Sequence, residues 1–309
     1  MSIEQCISSI GGEVLDLSPG FATVRLQQGN PPVEVRSETG WTALTSNLVM
    51  PFIDDPATQP FCYLPSQMCH PNVKFALVID DATWLQLRAE LPLDPTRSDD
   101  NDWLRGTLSQ FVDVQTNLQT HSKVTDQKTD QSLQKSNSND AEILANRASI
   151  EHIQSIVADL GFTAVAVDET CLKIEVGSRN QLRRVVIQTQ AQSCRVSLPI
   201  GTGDAITLKE PMKRAVGRFL LCCSADLRFV RPYARTHGDE STDAVTIGFE
   251  VHLPPFPRPE HVDHALKGLI TATQQYETEI ENLATEAILS SAYLRLTGGS
   301  AATPNLTNQ

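Results

Sequence analysis

Apolar residues recur at helical spacing in Ile150, Ile153, Val157 and Leu160, with Ser149 in place to cap the helix and Gly161 to stop it. The period then changes. Val165 and Val167, followed by Leu172, Ile174 and Val176, alternate as strands covered on one face do, across a turn at Asp168-Glu169-Thr170. Strands over 184–189 and 194–198 come next. Pro211 suits a first helical position, and Met212, Ala215, Val216, Phe219 and Leu220 form the apolar stripe of a second helix. A hairpin over 227–233 and 245–253 leads through Leu253-Pro254 to a final helix after Pro259.

The first half follows the same order. Ser2-Ile3-Glu4 opens it as Ser149-Ile150-Glu151 opens the second, and each short apolar-periodic segment ends at glycine, Gly11-Gly12 or Gly161. A hairpin turning at Ser18-Pro19-Gly20 matches the one at Asp168-Glu169-Thr170. Strands over 33–36 and 41–49 follow. The helix expected next is reduced to 64–70, between Pro65 and Pro71, so it is shortened or degraded. A hairpin over 73–79 and 84–91 then reaches Leu91-Pro92 and a helix carrying Leu104, Leu108, Phe111, Gln115 and Leu118. The pattern predicts an α+β protein with the order α-β-β-β-α-β-β-α, twice. The implied divisions are a first module over 1–119, a linker over 120–147, a second module over 148–297 and a disordered tail over 298–309. The linker is read from 120–140, where Val124 and Leu133 are the sizeable apolar residues, too few to offset the entropy of ordering it. Its alternative is an extension of the preceding helix into solvent.

This order, the segment HPNVKFALVIDDATWLQLRAELPL and the helix after it resemble the YbjN-like and class I type III secretion chaperone-like superfamily. The resemblance spans about 2–119 and 149–296. The second half departs from it: Ser224 is read where Asn72 would align, the turn lengthens over 234–243, and the last helix runs past the usual end. The resemblance implies small acidic, non-enzymatic modules that pair as dimers and hold a partner chain in extended form, so that two linked copies form a built-in pseudo-dimer.

Composition refines this picture. The 309 residues allow about two domains, and 40% hydrophobic with 20% charged side chains describes a globular chain. No apolar run approaches the roughly 20 residues of a membrane helix. The formal charge of −12 opposes nucleic acid and anionic lipid as partners. It divides unevenly: residues 1–119 hold 6 basic and 15 acidic side chains, whereas 149–309 hold 15 and 18. Within the second half, Lys209, Lys213, Arg214, Arg218, Arg228, Arg231 and Arg235 face only Glu210 and Asp226, a local +5. Such a run is either an interaction surface or a solvated face, and the acidic first half is its natural counterpart. Seven scattered cysteines and the lack of a leader pattern predict reduced thiols in the cytoplasm.

Val262, Leu266, Leu269, Thr273, Tyr276, Ile280, Leu283, Ala287, Ser290 and Leu294 form a heptad seam on the final helix. Extended over roughly 37 residues it would reach about 55 Å, which favours pairing with a second copy over packing on its own domain. A break near Asn282 is the alternative. His261 and His264 share a helix face and His252 lies on the preceding strand, a thin basis for zinc. Cys222-Cys223 follows apolar residues and reads as buried. Gly201-Thr202-Gly203 matches neither phosphate-loop pattern, and no nucleophile elbow occurs. No catalytic, cofactor or metal residue is therefore assigned. The expectation is a chaperone-like module binding an unidentified protein partner, against a regulatory scaffold dimerising through its last helix and, more remotely, a metal-dependent enzyme.

Overall fold

The computed structural model describes residues 7–8, 11–38, 40–51, 72–79, 83–93, 98–124, 148–178, 181–190, 193–201, 203–236 and 244–297. The degraded helix over 64–70, most of the first helix, the linker beyond Val124 and the tail over 298–309 lie outside these residues. The fold is α+β, with two antiparallel sheets. The first contains β1 (Glu13–Ser18), β2 (Phe21–Arg25), β3 (Val33–Glu38), β4 (Trp41–Pro51), β5 (Lys74–Ile79) and β6 (Thr83–Leu91), and is followed by α1 (Ser98–Val124). The second half contains α2 (Ile150–Asp159), β7 (Ala164–Ala166), β8 (Cys171–Ser178), β9 (Gln181–Thr189), β10 (Cys194–Pro199), β11 (Ile206–Thr207), α3 (Met212–Asp226), β12 (Arg231–Thr236), β13 (Ala244–Leu253), α4 (Pro259–Thr285) and α5 (Ala287–Leu296).

Strand order in the first sheet is β1-β2-β3-β4-β6-β5. In the second it is β7-β8-β9-β10-β13-β12, with β11 continuing the β10 side of β13. The registers agree strand by strand. Leu91 pairs with Thr42 where Leu253 pairs with Cys194, and Arg88 pairs with Lys74 where Glu250 pairs with Arg231. A bulge between Val14 and Asp16 on β1 interrupts this agreement at the sheet edge.

The alternation in the sequence sorts each sheet into two faces. Val24, Val35, Leu44, Leu87 and Phe75 are buried beneath α1, whose Leu104, Leu108, Phe111 and Val114 face them. Each fully buried side chain of this size contributes about 1.5–3 kcal/mol. On the second sheet, Leu172, Ile187, Val196, Phe249 and Val251 lie on the corresponding face, with α4 across β10 and β13. The Ser149 hydroxyl accepts from the His152 N–H at 3.2 Å and so caps α2, while Gly161 takes φ +85° at its end.

Three expectations change. Four strands rather than three precede the last hairpin of each half, β1–β4 and, apart from the short β11, β7–β10, because the turns at 18–20 and 168–170 each join two separate strands to the two that follow. Helix α1 continues through Val124, five residues into the segment read as linker. The final helix does not run on as one rod but breaks, close to the alternative near Asn282: α4 ends at Thr285, Glu286 is extended, and α5 folds back on α3. Val262, Leu266, Leu269, Ile280 and Leu283 are all buried and Tyr276 is half-buried, so the seam packs within its own chain rather than against a second one. The cause is non-local. Phe219 and Cys222 on α3 offer an apolar surface to Tyr293, whose ring meets Phe219 at 5.8 Å and whose hydroxyl lies 3.8 Å from Cys222 Sγ. A straight helix would carry Tyr293 past them.

Candidate functional site

The two halves meet around the starts of β5 and β12, and the contact is reciprocal. Lys74 Nζ donates to the Val230 carbonyl at 3.2 Å and to that of Leu227. Arg231 Nη1 donates to the Val73 carbonyl at 3.1 Å. Lys74 and Arg231 occupy the same register position in their sheets, as do Val73 and Val230. Each half thus offers a cation to the other's matching carbonyl, the pattern of a two-fold interface. Helix α3 is buried on several faces because it lies between α4, α5 and strand β5, whose sheet edge it covers.

Buried charges surround this contact. Lys74 pairs with Glu90 at 2.9 Å, and burial lowers its pKa against the opposing pull of Glu90. Glu250 pairs with Arg231 at 2.8 Å and Arg235 at 2.9 Å. Burial works to raise its carboxyl, but the charges of Arg231 and Arg235 outweigh it and hold the group well below the ordinary range. Arg88 bridges the halves, donating to the Ala225 carbonyl at 2.6 Å and lying 3.1 Å from Glu90.

Ser193, His252 and Glu250 superficially resemble a nucleophile, base and orienting acid, at 3.4 and 3.3 Å. Arg231 Nη2, which can only donate, lies 2.7 Å from His252 Nε2. That ring nitrogen must accept, so the proton of the neutral imidazole sits on Nδ1 and points at Ser193. The ring cannot then take the serine's proton. Burial, followed by the Arg231 charge, lowers the His252 pKa to about 4.

An aromatic cluster extends the junction. Phe229 is T-shaped against Trp41 at 5.9 Å and Trp103 at 6.1 Å, both from the first half. It holds φ 64°, the left-handed region that a bulky side chain rarely enters. His261 lies 5.3 Å from Trp103, and burial and Arg258 lower its pKa to about 4. Arg258 reaches Asp100 of the first half at 3.1 Å.

The sequence-predicted residues disperse across this framework. In the basic stretch, Arg231 is a buried element of the junction, Arg235 pairs with Glu250, and exposed Arg228 lies 3.6 Å from Glu38 of the acidic half. Arg218 is buried and donates to the Thr297 carbonyl, while Lys213 and Arg214 are half-buried at the start of α3. The stretch is thus not one exposed patch. His252 and His261 are engaged with arginines, and His264 is exposed beside Trp41. Among the described residues, no group of three or more His, Cys, Asp or Glu is placed to hold a metal. Cys223 is buried and Cys222 half-buried, and burial raises both thiols. No described helix is long and apolar enough to cross a membrane.

Two surface features remain. A groove of about 480 Å³ lies on the outer face of the first sheet, between Glu34, Trp41, Ala43 and Val78 of that sheet and Ala225, Asp226 and Arg228 of the second half. Large apolar side chains also stand exposed near two edge strands that pair with one other strand each among the described residues: Leu15 and Leu17 on β1, Val165 on β7, and Val167 just beyond it. Sequence periodicity placed Val165 and Val167 on a strand but not in solvent. Lys74, Glu90 and Phe229 were missed as site residues, and the signal available for Lys74 was a lone cation opening an otherwise apolar strand. Compared with family models, curated proteins and solved structures, the chain matches none.

Proposed function

We propose that this chain is a non-enzymatic, chaperone-like protein in which two modules, each with four strands ahead of a final hairpin and helix, dock as an intramolecular pseudo-dimer and bind a protein partner. The observation that carries the reading is the reciprocal pair, Lys74 to the Val230 carbonyl and Arg231 to the Val73 carbonyl, at matching register positions. The matching order of six strands in each sheet supports it, as does the second half's contribution of Arg228 and Arg258 to acidic residues of the first. Partner binding rests on the exposed apolar residues at β1 and β7, edge strands among the described residues, where a free edge can accept an extended segment.

The test uses the full chain. Proteins eluted from it under native conditions are identified by mass spectrometry, purified and added back. A stoichiometric complex weakened at least tenfold by Leu17→Asp or Val165→Asp supports the reading. A complex indifferent to both substitutions removes the edges from it.

A further inference from the structure

We propose that the groove on the outer face of the first sheet receives an arginine-bearing, extended segment of a partner protein. The inference rests on the proposed equivalence of the halves, because the second sheet shows what fills the corresponding place. Register aligns Ala43 with Arg195, through their partners Glu90 and His252, and Val78 with Arg235, through the pairings of β5 and β12. Where the second sheet holds two guanidinium groups, the first holds two short apolar side chains, and the groove opens there. In the second half Arg235 lies 4.4 Å over the Tyr233 ring and donates to Glu250 at 2.9 Å. Arg195 donates to the Gln188 side chain.

The rim favours a cation independently of this comparison. Four carboxylates, among them Glu34, Glu38 and Asp226, line the groove against three guanidiniums, and Ala225 and Asp226 form the C-terminal end of α3, where the helix dipole adds to the negative side of that balance. That end already accepts one guanidinium, since Arg88 donates to the Ala225 carbonyl. Trp41 adds an aromatic wall. The rim arginines do not form a competing positive surface: Arg36 lies 3.4 Å from Glu34 and Arg228 3.6 Å from Glu38. Both pairs are solvent-exposed and weakly held, so an incoming guanidinium can exchange with them. Because Ala225, Asp226 and Arg228 belong to the second half, the groove is complete only while the halves are docked. The partner therefore reads the docked form.

The probe is a fluorescein-labelled hexapeptide with the sequence of Arg231–Thr236, titrated against the full chain by fluorescence anisotropy, beside the same peptide with both arginines replaced by glutamate. Saturable binding of the arginine peptide alone is expected, weakened at least tenfold by Ala43→Arg or Val78→Arg, which restore the second half's side chains. The Glu34→Gln/Glu38→Gln pair weakens it about threefold to tenfold. Thermal unfolding and tryptophan emission identify which Arg variant retains the native junction. Absence of saturation, equal binding of the glutamate peptide, or undiminished binding by a natively folded Arg variant overturns the groove while leaving the docked halves intact. Independent unfolding of the two halves of the unmodified chain overturns the docking itself, and the groove with it.

Discussion

Phe229 concentrates the tension between backbone and packing at one residue. Its side chain lies between two tryptophans of the opposite half, while its backbone sits in a region that costs a non-glycine residue about 1–2 kcal/mol. Truncation to Ala removes the ring and keeps the backbone cost; truncation to Gly removes both. Glycine ordinarily lowers stability by about 0.5–1 kcal/mol relative to alanine. Here the order should invert, with Phe229→Ala the less stable by about 1 kcal/mol in urea unfolding, and the usual order would show that the left-handed backbone is not retained. The buried ions make a second test. Arg231→Met leaves Glu250 without its nearest buried guanidinium, a change expected to cost about 3–5 kcal/mol, and Glu250→Gln in the same chain should recover part of it. Additive losses in that double-mutant cycle would mean the two side chains do not act as a pair.

At the level of elements, short-range pattern specified the strands well, because alternation reports which face each strand buries. It could not specify where the last helix turns. Ala287, Ser290 and Leu294 continue the heptad seam, so the sequence reads as one rod, whereas Phe219 and Cys222, about seventy positions earlier, draw Tyr293 aside. Ser290 Oγ donates to the Leu283 carbonyl at 2.6 Å, completing the fold-back within the chain. Truncation after Glu286 should therefore leave the oligomeric state unchanged in light scattering. It should also uncover Cys222, whose thiol burial raises, and speed its reaction with a disulfide reagent about tenfold. Dissociation of a dimer on truncation would restore the seam to an intersubunit role.

Across the whole molecule, the charge asymmetry was legible in the sequence and its use was not. A run of cations looks alike whether it faces solvent or a buried carboxylate, and the structure separates Arg231 from Arg228 on that ground. The junction also buries two histidines, and this sets a pH dependence. His252 faces Arg231 from β12, Glu250 from its own strand and Arg195 from β10; His261 faces Arg258, Glu260 and His264 from its own segment and Asp100 from α1. Both pKa values fall from 6.5 to about 4. Between those values the unfolded chain binds more protons than the folded one, so stability rises with pH through the window and is lost as pH falls below 6.5. Carboxyls whose pKa the fold lowers, Glu250 and Glu277 among them, release their stabilisation chiefly below pH 5, which leaves the histidines dominant from pH 7 to pH 5. Each should withdraw about 2 kcal/mol of unfolding free energy over that interval. Urea unfolding at pH 7, 6 and 5 measures the slope. His252→Gln should reduce it by about half, and a flat profile in the unmodified chain would mean that the buried imidazoles are not held neutral at the junction.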